Sequence, residues 1–166
     1  MWQDVRINRA ASIGIATSAA AIAVLTGIGA PAGAAPSAAT TRAATTKTAV
    51  SSRHTALGTF LVDSKGRTLY LFQKDKKNLS KCSGACATAW PPALAPHGVV
   101  AKGAVHQKLI GRIHRADGTW QITYSGHPLY RFSGDTKAGQ THGQGLTAFG
   151  ANWYVVQPSG NKIDND

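Results

Sequence analysis

Gly66-Arg67-Thr68-Leu69-Tyr70-Leu71-Phe72-Gln73-Lys74-Asp75 returns sixty residues later as Gly126-His127-Pro128-Leu129-Tyr130-Arg131-Phe132-Ser133-Gly134-Asp135, with five of ten positions identical. Gly, Leu-Tyr, Phe and Asp keep their spacing in both copies. That marks an internal repeat and makes the fold a question about one small unit used twice. On a strand, residues two apart share a face, so Tyr70 points with Phe72 and Tyr130 with Phe132. Each copy is read as a strand that sends one Tyr and one Phe into a common core and ends in an Asp.

Outward from the first copy, Thr59-Phe60-Leu61-Val62 is a β-type run and Asp63-Ser64-Lys65-Gly66 supplies turn residues, which predicts a hairpin over Gly58 to Phe72. Around the second copy, Leu109 to His114, Thr119 to Tyr124 and Pro128 to Phe132 predict three antiparallel strands. They are joined at Asp117-Gly118 and Ser125-Gly126, dipeptides that favour the positive φ of tight turns. Trp153 to Val156 is a last short strand. Cys82 to Thr88 has room for one helical turn before Pro91-Pro92 blocks continuation. His97 to Lys108 shows no period and receives no element. The expected fold is mainly β, a small antiparallel domain over residues 55–160. Its six short strands fall into repeats at about 57–95 and 117–160 packed face to face, with a tail at 161–166.

The first third of the chain is of another kind. Arg6 and Arg9 precede an uncharged run from Ala10 to Ala30, and Ala32-Gly33-Ala34 follows, so residues 1–34 are expected to be a signal peptide cleaved after Ala34. The rival reading is an uncleaved anchor, since the run approaches the ~20 residues that span a bilayer. The only cysteines are Cys82 and Cys86, so lipid anchoring at the N-terminus is not expected. Residues 35–54 read as a disordered Ala/Thr/Ser-rich linker whose one large aliphatic is Val50. Of 18 Lys and Arg, Arg6 and Arg9 leave with the leader, and of seven Asp, Asp4 leaves. The mature charge is then +10 with no Glu. A basic exported protein is drawn to anionic cell-wall polymer or a membrane surface, while its scattered Lys and Arg give no specific nucleic-acid signature.

The recurrence of Tyr70, Phe72, Asp75, Tyr130, Phe132 and Asp135 has a structural account. The aromatics build the core and each Asp accepts backbone N–H groups from the loop that follows it. Acid–base work would require the repeats to bring Asp75 and Asp135 together, and no Gly-x-Ser-x-Gly elbow is present. No residue is assigned a catalytic role. Cys82 and Cys86, an even pair four apart in an exported chain, are expected to form a disulfide. The other chemistry open to two such thiolates is copper, as Cu(I), or redox exchange. An offset of sixty puts His142 at the place of Cys82. The other histidines, at 54, 97, 106, 114 and 127, lack ligand-like spacing. Trp90, Trp120 and Trp153 are expected in the core or over the disulfide.

With these residues in view the chain resembles a family of secreted bacterial repeat proteins, described as predicted lipoproteins with a Tyr-x-aromatic-x-x-Asp motif. Tyr70, Phe72 and Asp75 fit the first copy and Tyr130, Phe132 and Asp135 the second. Cys82 and Cys86 followed by Trp90-Pro91-Pro92 look like the family's first repeat. Arg115 to Gly118 with Gln121, Thr123 and Tyr124 looks like the lead-in to its second. The resemblance implies export and two related β-units and carries no known activity. The functional expectation is a non-enzymatic secreted or envelope-associated domain, with a copper or redox protein using Cys82 and Cys86 and an envelope enzyme using Asp75 and Asp135 as the alternatives.

Overall fold

The structure, a computed structural model, describes residues 45–164. The expected leader and most of the expected linker lie outside the described residues. Nine strands and one α-helical turn follow in order among the described residues: β1 Thr48–Thr55, β2 Gly58–Asp63, β3 Tyr70–Phe72, α1 Ala85–Ala89, β4 Val99–Ala101, β5 Ile110–His114, β6 Trp120–Tyr124, β7 His127–Pro128, β8 Thr147–Ala148 and β9 Ala151–Val155, with a short 3-10 turn at Gln107–Leu109 before β5. They form three three-stranded sheets, β2-β1-β4, β3-β9-β8 and β5-β6-β7, so the protein is mainly β as its sequence predicts.

Two expectations are corrected at the start. Residues 48–54 are not linker but most of β1, the central strand of its sheet, antiparallel to β2 from Val50↔Asp63 to Thr55↔Gly58 and parallel to β4 from Thr48↔Val99 to Val50↔Ala101. The reason is that β1 is held by backbone pairing on both edges and by one anchor, the fully buried Val50, none of which a count of apolar side chains registers. The predicted hairpin over Gly58 to Phe72 holds only as far as Leu69: on the edge of β2 away from β1, Val62 bridges Thr68 antiparallel, while Tyr70–Phe72 leaves for β9. There the Asp63 amide donates to the Arg67 carbonyl at 2.8 Å and the Leu69 amide to that of Leu61 at 3.0 Å.

The repeats are joined by exchange of their last strands. Antiparallel β9, from the second repeat, lies on β3 of the first, with Tyr70 opposite Val155 and Phe72 opposite Trp153. Reciprocally, Pro91 to Ala95, the end of the first repeat, lies on the second: the Arg131 amide donates to Pro91, Ala93 to Leu129 and Ile122 to Ala93, at 2.8–2.9 Å. The bonds recur as mates, Gln73 to Asn152 in one half and Ser133 to Ala89 in the other, both at 3.0 Å. At the join, Tyr70 and Tyr130 exchange both backbone hydrogen bonds, at 2.8 and 2.9 Å. The motif strand of each repeat is thus paired with the end of the other.

Two cores result. An aliphatic one gathers Val50, Leu61, Leu69, Leu71, Ile122 and Leu129. An aromatic one gathers Tyr70, Phe72, Trp90, Tyr130, Trp153 and the two cysteines. Through the aromatic core runs a four-ring stack, Phe72 on Trp153 at 4.0 Å, Trp153 on Trp90 at 3.9 Å and Trp90 on Phe132 at 4.4 Å. Tyr70 meets Trp90 edge-on at 5.4 Å and Tyr130 meets Trp153 edge-on at 5.2 Å. The pattern reads identically from either end, which is what two copies related by a local twofold produce.

The copies are not in one register throughout. Leu69 donates its amide to Leu61, but its mate Leu129 donates to Ile122, so β6 is slipped by one residue relative to β2. A one-residue slip turns every side chain to the opposite face. It puts Gln121 where Phe60 stands in the first half and Trp120 where Thr59 stands.

Candidate functional site

The repeated tyrosines and aspartates bond crosswise. The Tyr70 hydroxyl donates to Asp135 Oδ2 at 2.5 Å, and the Tyr130 hydroxyl donates to Asp75 Oδ2 at 2.7 Å. In each half the other carboxylate oxygen accepts the amide of its own following loop, Lys81 to Asp75 at 2.6 Å and His142 to Asp135 at 3.0 Å. The motif therefore closes its own loop and fastens the partner repeat at once. Spacing within one copy cannot reveal the crosswise bond, because each Asp follows its own Tyr by five residues and binds the other.

Burial, reinforced by the facing carboxylates, pushes both phenols well above their ordinary range. Burial also pushes Asp75 up to about 6, although the Lys81 amide, the Tyr130 hydroxyl and Arg115 each favour its charged form.

Beyond this shared part the two pairs differ. The Tyr130 hydroxyl also meets Ser80 Oγ at 2.7 Å, and Ser80 accepts from the buried Arg115 at 2.9 Å. Arg115 donates further to Gln121 Oε1 at 2.7 Å, to the Cys82 carbonyl at 2.8 Å and to Asp117 at 3.1 Å. Gln121 passes its amide to the Leu129 carbonyl at 2.8 Å, so the glutamine that the slip carries inward is fully used. Hydrogen bonds from Thr119 and then Arg115 hold Asp117 down at about 2. At Tyr70 the corresponding contact is one amide, Gly143 N–H at 3.3 Å. A Cβ on Gly143 would fall 2.7 Å from Trp90 and 3.0 Å from Tyr70, so the close approach requires glycine.

Cys82 and Cys86 are joined as a disulfide at the start of α1, with Cα atoms 5.3 Å apart. In this state neither sulfur is a thiolate that could hold Cu(I). The loop amides that cap the aspartates belong to Lys81 and His142, so the structural mate of Cys82 is Gly143 and that of Lys81 is His142. This corrects the offset-sixty pairing of His142 with Cys82. His142 Nδ1 lies 3.5 Å from Asp135 Oδ1 on the other pair. Among the described residues no group of three or more His, Cys, Asp or Glu could hold a metal ion.

A groove of about 610 Å3 runs between the disulfide loop and the β5–β6 turn, with Ser80, Cys82, Arg115 and Asp117 on its walls. Asp75 borders a separate cleft of about 530 Å3 with His127, Gln73 and Lys162. Asp135 is 8% exposed and is not among the residues lining either. Trp90 and Trp153 are fully buried, but Trp120 is 40% exposed. It carries the Arg112 guanidinium over its ring at 4.8 Å and His114 against its edge at 5.0 Å. The expectation that it packs the core fails because of the slip in β6. Sequence reading does not single out Ser80 as a functional group. For Gln121 one signal is present: it is a polar residue where the first copy carries Leu61.

A family model described as a secreted repeat of unknown function matches residues 51–94 and again residues 111–157. The chain belongs to this family. Its two repeats begin about six residues before the expected 57 and 117, and so take in part of β1 and all but the first residue of β5. No curated protein and no solved structure matches the chain. This secreted-repeat protein is thus placed among exported proteins. Among its described residues no helix is long and apolar enough to cross a membrane.

Proposed function

We propose that this secreted-repeat protein is a non-enzymatic binding module of the cell envelope, drawn to anionic wall polymer or a membrane surface by its positive charge. The observation that supports the reading is that the repeated motif is spent on itself. Both phenols face the opposite carboxylates, and each carboxylate gives its second oxygen to a loop amide. A general acid or base must reach a substrate at hydrogen-bond distance, and a carboxylate already holding two donors, buried at Asp135 and half-buried at Asp75, has little left to offer. What remains for function is surface, and the whole chain carries a formal charge of +11.

Attraction of this kind weakens as salt shortens the Debye length. The protein is expected to sediment with the envelope fraction at low salt and to move to the supernatant at about 0.5 M sodium chloride, where that length is roughly 4 Å. Retention indifferent to salt would overturn the electrostatic reading. Hydrolysis of isolated cell wall by the purified protein, abolished in Asp75→Asn, would overturn the non-enzymatic one. Two titratable thiols on the native protein, with uptake of Cu(I), would return the copper reading.

A further inference from the structure

Leu71 and Arg131 hold the same place in the two copies of the motif. Leu71 is 5% exposed and belongs to the aliphatic core, whereas the second copy puts a guanidinium there. Half-buried Arg131 donates one terminal N–H to the Pro92 carbonyl at 3.1 Å, while its Nε is buried without a hydrogen-bond partner. It borders a small cleft of about 160 Å3 together with Arg67, Asp63, Ser64 and Thr48.

The charges in this cleft do not balance. Asp63 is its one carboxylate, and that carboxylate accepts the amides of Lys65 and Arg67 at 2.9 and 3.0 Å and is paired with the Arg67 guanidinium at 2.7 Å. Arg131 is left as a second cation facing the first. Burial and the Arg67 charge both push its guanidinium down from the ordinary value, and Asp63 only partly offsets them. A partly desolvated cation beside another is unfavourable unless an anion joins them. Guanidinium forks match tetrahedral oxyanions, and the hydroxyls of Ser64 and Thr48 are suited to donate to one. The cleft's volume is well below the ~300–1,000 Å3 of sites for drug-sized ligands and suits a small ion or terminal group. The local twofold supplies a control. At the mate positions stand Leu71 and His127, so the paired guanidiniums do not recur in the other half.

We propose that the cleft between Arg67 and Arg131 is a phosphate-oxyanion site, filled by inorganic phosphate or by a phosphate group displayed on an envelope polymer. As a point of envelope attachment it rests on the reading above, and as a phosphate site it stands alone.

The test is calorimetric titration of the full exported chain with inorganic phosphate at low ionic strength, against chloride at equal ionic strength. Arg131→Leu installs the residue that the first repeat carries. It is expected to fold with an unchanged or higher melting temperature and to lose at least about tenfold in phosphate affinity, the weight of one charge-assisted contact. Ser64→Ala is the second variant, expected to weaken binding several-fold. Absence of phosphate binding by the wild type would overturn the proposal. Equal binding by wild type and both variants would overturn it as well. Displacement of bound phosphate by poly(glycerol phosphate), with weaker envelope retention of Arg131→Leu, would assign the site to a polymer. Loss of phosphate binding in Arg131→Leu with unchanged retention would assign it to the free ion and leave the envelope reading to the rest of the surface charge.

Discussion

The two Tyr–Asp pairs are built from the same residues and backed by different ones. Around Tyr130 and Asp75 a polar chain runs through Ser80 to Arg115, which donates both to Gln121 and to the carbonyl of a disulfide cysteine. Around Tyr70 and Asp135 the same space is closed by Gly143 pressed against Trp90 and Tyr70. The difference separates what the duplicated fold requires from what it tolerates. It requires the crosswise phenol–carboxylate bond, the loop amide on each carboxylate and the stack of Phe72, Trp153, Trp90 and Phe132. The backing is free to diverge, because a bond across the join fixes the two halves whichever way its far side is filled. Each addition stands in one copy without a counterpart in the other, the disulfide in the first and buried Arg115 and the cation at position 131 in the second.

The strongest way to break the comparison is to strike the part both halves share. Trp90→Ala and Trp153→Ala each remove a fully buried ring from the centre of the stack and should each cost about 3–5 kcal/mol in denaturant unfolding. The two costs should agree within about 1 kcal/mol, because each ring stacks on the other, on one Phe and against one Tyr edge. Their double variant should fall short of the sum, since rings in direct contact share the same cavity. A large inequality between the singles would show that one half carries the core and the other merely follows.

A smaller effect should follow from a feature confined to one half. The disulfide closes a loop of only about five residues, so Cys82→Ala combined with Cys86→Ala should lower stability by about 2 kcal/mol on a chain-entropy basis. Reduction of the wild type should give a similar loss. The Tyr70–Asp135 pair has no such staple. Protection of the Tyr70 and Tyr130 amides from hydrogen exchange should therefore fall together if the join opens as one unit, and separately if the staple supports only its own side.

How much of this is legible in the sequence depends on whether a feature repeats or departs from the repeat. The duplicated Leu-Tyr-x-Phe-x-x-Asp gives the β class, the shared core and the face on which Tyr70 and Phe72 point, because period-two alternation is local. The exchange of terminal strands is not local. Nothing in Trp153-Tyr154-Val155 says that it pairs with β3 of the other repeat rather than with its own, since both edges present the same apolar alternation. The place of β1 is hidden for a related reason. Thr48 to Thr55 has one apolar anchor and is fixed by backbone bonds to two strands, and such bonds leave no mark on side-chain composition. Trp120 misleads because aligned sequence positions are taken as aligned space, and one slipped residue in β6 is enough to turn an apparent core tryptophan outward. Arg131 shows the converse. The repeat alignment sets Arg131 against Leu71, but only the packing shows that the guanidinium of Arg67 lies in the same cleft.

The smallest expected effect is the response of the Tyr130–Asp75 pair to pH. Asp75 is pushed up to about 6 by burial in the folded protein, against about 3.9 for an unfolded aspartate. Between those values the folded state holds the proton more tightly than the unfolded one, so stability from this group is fully present below about pH 4 and is lost as pH rises through about 6. The full shift corresponds to nearly 3 kcal/mol, but Asp75 is only partly buried and solvent screening reduces the expected loss to about 1 kcal/mol. Asp117, held at about 2, works in the opposite sense and below this window, contributing stability above about pH 4 that is lost as pH falls toward 2. Melts of the wild type alone sum over every ionisable group, so the quantity to measure is the difference between wild type and Asp75→Asn, in urea melts from pH 4 to 8. That difference should move against the wild type between pH 4 and 6 and then become flat above about pH 7. A difference that moved in its favour would mean that the Tyr130 hydroxyl, the Lys81 amide and Arg115 together outweigh burial.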